Sequence, residues 1–241
     1  MMLLIDAGNT RVKWQLRDAG QVVAQGYGLG SEVQAQLQTW GAAIRQIAVS
    51  SVASAEVQAK ITQQLQDCLP LSPVFYPACA VWRGLRSAYQ TPGTMGADRW
   101  HGMVAAWYQS QSGVAVVDAG SALTVDYVSA EGEHLGGYIL PGRRMCLSSL
   151  RNDAARIHYD LLEQSAATPG SNTSECVNHG LYWLWQSLCA RIEADCQRYG
   201  LASVFVTGGD GQLLLDAGLT GRWCPDLVFD GLALMASESS S

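Results

Sequence analysis

Short apolar runs alternate with polar punctuation along this chain, and one such pattern occurs twice. Near the start, MLLIDAGNTRVKWQLRDAG reads as an apolar strand, an Asp-Ala-Gly turn and a second strand. In the middle, VAVVDAGSALTVDYVSAEG repeats the arrangement. Asp6 and Asp118 stand at matching places, 112 positions apart in a chain of 241 residues. The turn dipeptides Gly8-Asn9 and Gly120-Ser121 suit the positive-φ positions of tight hairpins. A third strand follows in each copy, QVVAQGYGL and then HLGGYIL, so both halves are predicted to open with a three-stranded antiparallel meander.

Helix and strand alternate after each meander. EVQAQLQTW reads as helix, QIAVSSV as strand, EVQAKITQQLQDCL as helix and PVFY as a short strand. Pro92 and Gly93 break the chain before GADRWHGMVAAWYQS, a helix with Met103 and Trp107 on one face. In the second half RRMCLSSLR reads as helix. A single long helix then runs from about Thr173 to Tyr199, SVFVTGG is a buried strand and GQLLLDAG a short helix. The tail SESSS reads as frayed. Two copies of one strand–helix succession predict a duplicated α/β fold, with domains at 1–112 and 113–241.

Composition narrows the function classes. Hydrophobic residues make up 48% and charged residues 15%, which excludes a disordered chain. The net charge of −6 without a basic run argues against a nucleic-acid partner. No apolar stretch is long enough to span a membrane, and MMLLIDAGNT lacks the features of a signal peptide, so a cytoplasmic protein is expected. The seven cysteines contain no C-x-x-C pair and read as free, mostly buried thiols. The four histidines have no metal-ligand spacing and are assigned no chemistry.

The repeat itself can carry chemistry. A glycine at the hairpin turn lets backbone N–H groups approach a ligand closely, and neighbouring hydroxyl or amide side chains add donors, so the loop can cradle phosphate oxygens. A strand-end carboxylate repels phosphate but can hold a cation that bridges to it. Two ordinary hairpins would show the same residues; two copies in matched topology favour a polyphosphate clamp. The turns Gly136-Gly137 and Gly208-Gly209-Asp210 are further ligand-approach candidates, and the P-loop pattern is absent.

This duplication resembles the superfamily of sugar kinases, Hsp70 and actin. The resemblance implies a duplicated ribonuclease-H-like, actin-like ATPase fold, with two similar domains and an interdomain ATP cleft. Within it the chain is similar to the type III pantothenate kinases over nearly its whole length. The segments that carry the likeness are DAGNTRVK at 6–13, YQTPGTMGADRW at 89–100, VDAGSALTVD at 117–126 and NTSECVNHG at 172–180. Ser121 stands where the family usually has threonine and keeps the hydroxyl.

The resemblance implies ATP-dependent phosphorylation of pantothenate, the first step of coenzyme A synthesis. Asp98 becomes the general base; on sequence alone it could equally be an acid favoured by the helix dipole. Asp6, Ala7, Gly8, Asn9, Thr10, Arg11, Val12, Lys13 and Ser121 are expected at ATP. Tyr89, Gly96, Ala97, Asp98, Arg99 and Thr173 are expected at pantothenate, with the Arg99 guanidinium suited to its carboxylate. Asn172 and Glu175 have capping-box spacing, which would leave the Thr173 hydroxyl free. Asp6 is expected to orient Mg²⁺, and Asp118 to help hold a monovalent cation, K⁺ or NH₄⁺. A homodimer through the Trp183–Trp185 region is implied. The alternatives are a non-catalytic nucleotide-binding regulator of the same fold and a small-molecule kinase with another substrate.

Overall fold

The apolar run Leu3-Leu4-Ile5 is fully buried and forms the middle of strand β1 (Met2–Ala7), from which a five-stranded sheet grows. The computed structural model describes the whole chain except residues 9, 155, 163–165 and 239–241. β2 (Val12–Asp18) and β3 (Gln21–Tyr27) complete an antiparallel meander. Helix α1 (Ser31–Thr39) leads to β4 (Gln46–Ser51), and α2 (Ala55–Gln66) to β5 (Val74–Phe75), both strands running parallel to β1. The order is β3-β2-β1-β4-β5.

A small hairpin, β6 (Val81–Trp82) and β7 (Leu85–Arg86), turns through Arg83 and Gly84, both at positive φ. After it comes α3 (Ala97–Ser110). The second half repeats the plan with β8 (Val114–Ala119), β9 (Ala122–Val128), β10 (His134–Pro141), α4 (Arg143–Asp153), α5 (Thr173–Tyr199), β11 (Ser203–Thr207), α6 (Gly211–Asp216) and β12 (Arg222–Trp223). Its order, β10-β9-β8-β11-β12, is the first sheet's order again. The final helix is α7 (Leu227–Glu238).

Strand alternation separates the two faces of the first sheet. Leu3, Ile5, Trp14, Ile47 and Val49 pack with Leu37 of α1 and Ile61 and Leu65 of α2. The opposite face carries Leu4, Asp6, Gln15 and Ser50, and α7 lies against β1 and β4. In the second sheet Ala115, Val117, Leu123 and Val125 pack on Trp185, Cys189 and Ile192, which recur at helical spacing on α5.

The chain divides into two units: Met1–Gln109 with the stretch from Asp226 onward, and Ser110–Pro225. This differs from the sequence expectation of 113–241 as one domain. The cause is α7, whose Leu227, Val228, Phe229, Leu232 and Met235 are buried and whose polar residues dock on the first sheet. Gln15 Nε2 donates to Asp226 Oδ1 at 2.6 Å, Arg17 Nη1 pairs with Asp230 Oδ1 at 2.8 Å, and Gln46 Nε2 donates to the Ala236 carbonyl at 3.0 Å. Ser237 and Glu238 of the tail expected to fray belong to α7; residues 239–241 lie outside the described residues.

Three further expectations are corrected. Gly136 and Gly137 do not form a turn; they sit inside β10 at a bulge, with Gly136 at φ 106°. Gly8 and Gly120 do not adopt left-handed backbone, because their loops close through backbone bonds, Gly8 N–H to Arg11 O at 3.1 Å and Gly120 N–H to Ala122 O at 3.0 Å. The cysteines stand outside any disulfide, but only Cys189 and Cys224 are buried, and Cys176 is exposed. Burial pushes the Cys189 and Cys196 thiols up to about 11, so neither is poised as a nucleophile. No helix among the described residues is long and apolar enough to cross a membrane.

Candidate active site

In the first unit the site is built where β1 ends. Asp6 pairs in register with Lys13 on β2 and with Ser50 on β4. Alternation brings all three to the sheet face opposite α1 and α2. Beyond them, Gly8, Thr10 and Arg11 belong to the connection from β1 to β2, with Thr10 and Arg11 exposed. Asn9 lies outside the described residues. Ala7 and Val12 give their side chains to the core, so what they can offer a ligand is backbone.

Asp6 keeps some solvent-accessible surface, yet protein crowds it on most sides. That burial lifts its pKa from the ordinary carboxylate range to about 6; Lys13 opposes the shift and the like charge of Asp98 adds to it. Asp98 stands in the first turn of α3, with its Oδ1 accepting the Arg99 N–H at 2.7 Å. Gly96 makes that posture possible, since a Cβ there would lie 2.6 Å from Asp98 Oδ1. Arg99 is 7% exposed; its Nη1 donates to the Tyr89 hydroxyl at 2.9 Å, and its guanidinium lies 5.8 Å from the Tyr89 ring centre. Ala97 is buried and Tyr89 half-buried. Asp6, Lys13, Asp98, Arg99, Gly96 and Tyr89 are thus joined in one constellation.

The second unit builds the matching place. Asp118 is the penultimate residue of β8, in register with Thr124 and Thr207. Residues 120–122 close the hairpin, and Ser121 is exposed. The later glycines serve this loop. A Cβ on Gly208, at φ 87°, would overlap Asp118 Oδ1 and the Ala119 backbone, and one on Gly142 would overlap the Ser121 carbonyl. Asp210 N–H then donates to Ala119 O at 2.9 Å. Burial raises the Asp210 pKa while Arg143, the first residue of α4, opposes it. Arg143 was missed in the sequence; its signal was an arginine directly after Pro141-Gly142.

Thr173 is the exposed first residue of α5. Asn172 caps that helix, its Oδ1 accepting the Glu175 N–H at 3.0 Å. Glu175 reaches back to the Ser171 N–H and hydroxyl instead of the cap residue's own N–H.

Among the described residues no three His, Cys, Asp or Glu side chains converge as a ready metal cage. The chemistry present suits a cation that arrives with phosphates: Mg²⁺ keeps several waters and takes one or two carboxylates beside substrate oxygens. Asp6, crowded and next to a second carboxylate, fits that demand.

The raised pKa of Asp6 has a consequence for stability. The folded chain holds this proton more tightly than the unfolded chain does. The ionised carboxylate therefore costs stability, increasingly as pH rises from about 4 through about 6, and fully above that. Asp6→Asn should raise the stability of the ligand-free protein at pH 8 by about 2–3 kcal/mol, at roughly 1.4 kcal/mol per pKa unit. The gain should vanish near pH 4. Denaturant melts at the two pH values check this; a variant less stable than wild type at pH 8 would make Asp6 a structural carboxylate.

Two sheets of one strand order, each with an aspartate one residue before the end of its first strand, give the chain the duplicated actin-like fold. Solved structures bear this out at the level of fold. A protein described as a Baf family transcriptional activator from Campylobacter jejuni matches with a TM-score of 0.60 at 22% identity, covering 99% of this chain and 98% of that one. A protein described as a 2-dehydro-3-deoxygalactonokinase from Sinorhizobium meliloti matches with a TM-score of 0.61 at 14% identity, covering 99% of both chains.

Sequence comparison gives the family. The family model for type III pantothenate kinase matches residues 2–195. A type III pantothenate kinase from Marinobacter nauticus is 44% identical over 239 residues, 98% of each chain. One from Alcanivorax borkumensis is 35% identical over 247 residues, 99% of each chain. The chain belongs to the type III pantothenate kinase family.

Proposed function

We propose that this enzyme transfers the γ-phosphoryl group of ATP to the primary hydroxyl of pantothenate, giving 4'-phosphopantothenate and ADP, the first step of coenzyme A synthesis. One observation carries the reading. In a chain of this family, Asp98 stands at the start of α3 beside the crowded Asp6, next to a buried arginine that can receive a carboxylate.

Asp98 accepts the proton as the hydroxyl oxygen bonds to the γ-phosphorus and the bond to the β-phosphate oxygen breaks. In phosphoryl transfer most of the rate comes from positioning and charge neutralisation. Arg99 holds the pantothenate carboxylate through paired hydrogen bonds. Tyr89 offers its ring to the dimethyl group, and Thr173 adds a hydroxyl. Residues 7–12, through backbone and the polar side chains of Asn9, Thr10 and Arg11, together with Lys13, are assigned to the ATP phosphates, and Ser121 is assigned to ATP as well. Mg²⁺ bound with ATP would neutralise phosphate charge, with Asp6 orienting it or its waters. Asp118 would help hold a monovalent cation, K⁺ or NH₄⁺.

The same reading makes the enzyme a cytoplasmic homodimer. On α5, Trp183 is 62% and Leu184 50% exposed beside the buried Trp185, a poor arrangement for a lone chain in water. Sedimentation at micromolar concentration should give twice the 25.9 kDa chain mass; a 25.9 kDa species would contradict the interface. The activity is tested by ADP release with pantothenate against a panel of sugars and sugar acids. Turnover confined to pantothenate supports the reading, and turnover of a sugar acid instead would replace it.

A further inference from the structure

We infer that the buried hydrogen bond between Ser50 and His101 positions Asp98, by holding the first turn of α3 on the strand pair that carries Asp6. The inference rests on reading Asp98 as the proton acceptor.

Asp6 and Ser50 are side-by-side partners on β1 and β4 and face the same side of the sheet. Asp98 and His101 are three apart on α3 and share one face of that helix. His101 Nδ1 lies 2.8 Å from Ser50 Oγ, and that contact holds this face of α3 to the strand pair. The buried Arg99 bonds Tyr89, outside the strand pair, and the apolar residues burying this part of α3, Met103, Val104, Ala105 and Ala106, make non-directional contacts that allow a helix to slide or turn. A hydrogen bond is directional and fixes both.

His101 is otherwise an expensive residue to bury. It is fully inaccessible, and among the described residues its Nε2 has no partner. A leucine of similar size would avoid that cost. Burial also drives its pKa down to about 3, so the ring is neutral at working pH and carries no proton in the reaction. What remains for it is geometry. From the far side, Gly231 of α7 sits so close to the His101 carbonyl that a Cβ there would overlap it, which leaves α3 little room to back away.

The test is steady-state kinetics of Ser50→Ala, His101→Leu, His101→Asn and the Ser50→Ala/His101→Leu double variant, with Asp98→Asn alongside and thermal melts on all. A misplacement near 1 Å costs on the order of 100-fold, so Ser50→Ala and His101→Leu should each lower kcat by about 10- to 100-fold. KM for ATP and for pantothenate should stay within about threefold, since neither residue touches a substrate. Asparagine places a polar δ atom where Nδ1 lies, so His101→Asn should recover most of kcat. The double variant should be no worse than the poorer single, because both remove one bond. Folded Ser50→Ala and His101→Leu enzymes with near wild-type kcat, beside a crippled Asp98→Asn, would overturn the inference and leave the Asp98 reading standing. Losses that follow the melting temperatures, with no rescue by asparagine, would also overturn it by marking the pair as merely structural. An active Asp98→Asn would overturn the Asp98 reading and this inference with it.

Discussion

Asp98→Asn is expected to lower kcat by about 10²–10⁴-fold, the usual contribution of a general base. That is about 3–5 kcal/mol of barrier at roughly 1.4 kcal/mol per decade. The substitution keeps the shape of the side chain and its ability to accept the Arg99 N–H, so the helix start should survive. It also removes a like charge beside Asp6, so the melting temperature should hold or rise. KM for ATP should move little. A variant with kcat within a few-fold of wild type would return Asp98 to the role of a first-turn acid, worth about 0.3–1 kcal/mol of helix stability.

Arg99→Ala should fail differently. The lost group is a buried guanidinium already oriented by the Tyr89 hydroxyl, and a charged hydrogen bond is worth about 1.5–3 kcal/mol. KM for pantothenate should therefore rise by about 10- to 150-fold at roughly 1.4 kcal/mol per decade. Part of kcat should go as well, since remote binding energy also orients the reacting hydroxyl. Tyr89 then loses the partner its hydroxyl accepts from, so the melting temperature should fall modestly. Arg99→Lys keeps the charge but not the planar fork and should lie between the two enzymes. An unchanged KM for pantothenate in a folded Arg99→Ala enzyme would move the carboxylate site elsewhere.

Much of this architecture can be read from residue order. The meanders are legible because apolar runs of strand length end at Asp-Ala-Gly in both copies, and the two sheets do share one strand order. The long helix Thr173–Tyr199 is legible at both ends. Asn172 caps its start, and Gly200, at φ 64°, closes it in the left-handed conformation that glycine favours. The C-terminal helix is not legible in the same way. LVFDGLALMASE is apolar enough to be buried anywhere, and its docking on Gln15, Arg17 and Gln46 shows which sheet it joins. Strands of two residues, as in 81–82 and 85–86, carry no periodicity to detect.

The candidate site divides along the same line. Asp6, Asp98, Arg99 and Asp118 lie within motifs, and motifs are local. The contacts that give them their properties are long-range. Gly208 makes room for Asp118 across 90 positions, Arg143 opposes the Asp210 carboxylate, and Ser50 meets His101 from 51 residues away. An ordinary serine and a lone histidine offer no pattern until the chain folds them together.

The most direct measurement follows the phosphoryl group itself. Wild type and Asp98→Asn enzymes are given pantothenate and ATP labelled at the γ-phosphate, with Mg²⁺ and K⁺, and the products are separated and the acceptor atom located by phosphorus–proton coupling. Wild type should place the label on the primary hydroxyl of pantothenate in step with ADP release, and Asp98→Asn should form that product at least about 100-fold more slowly. Label released only as inorganic phosphate, label on another oxygen, or equal rates from the two enzymes would contradict the assignment of this fold's chemistry to pantothenate through Asp98.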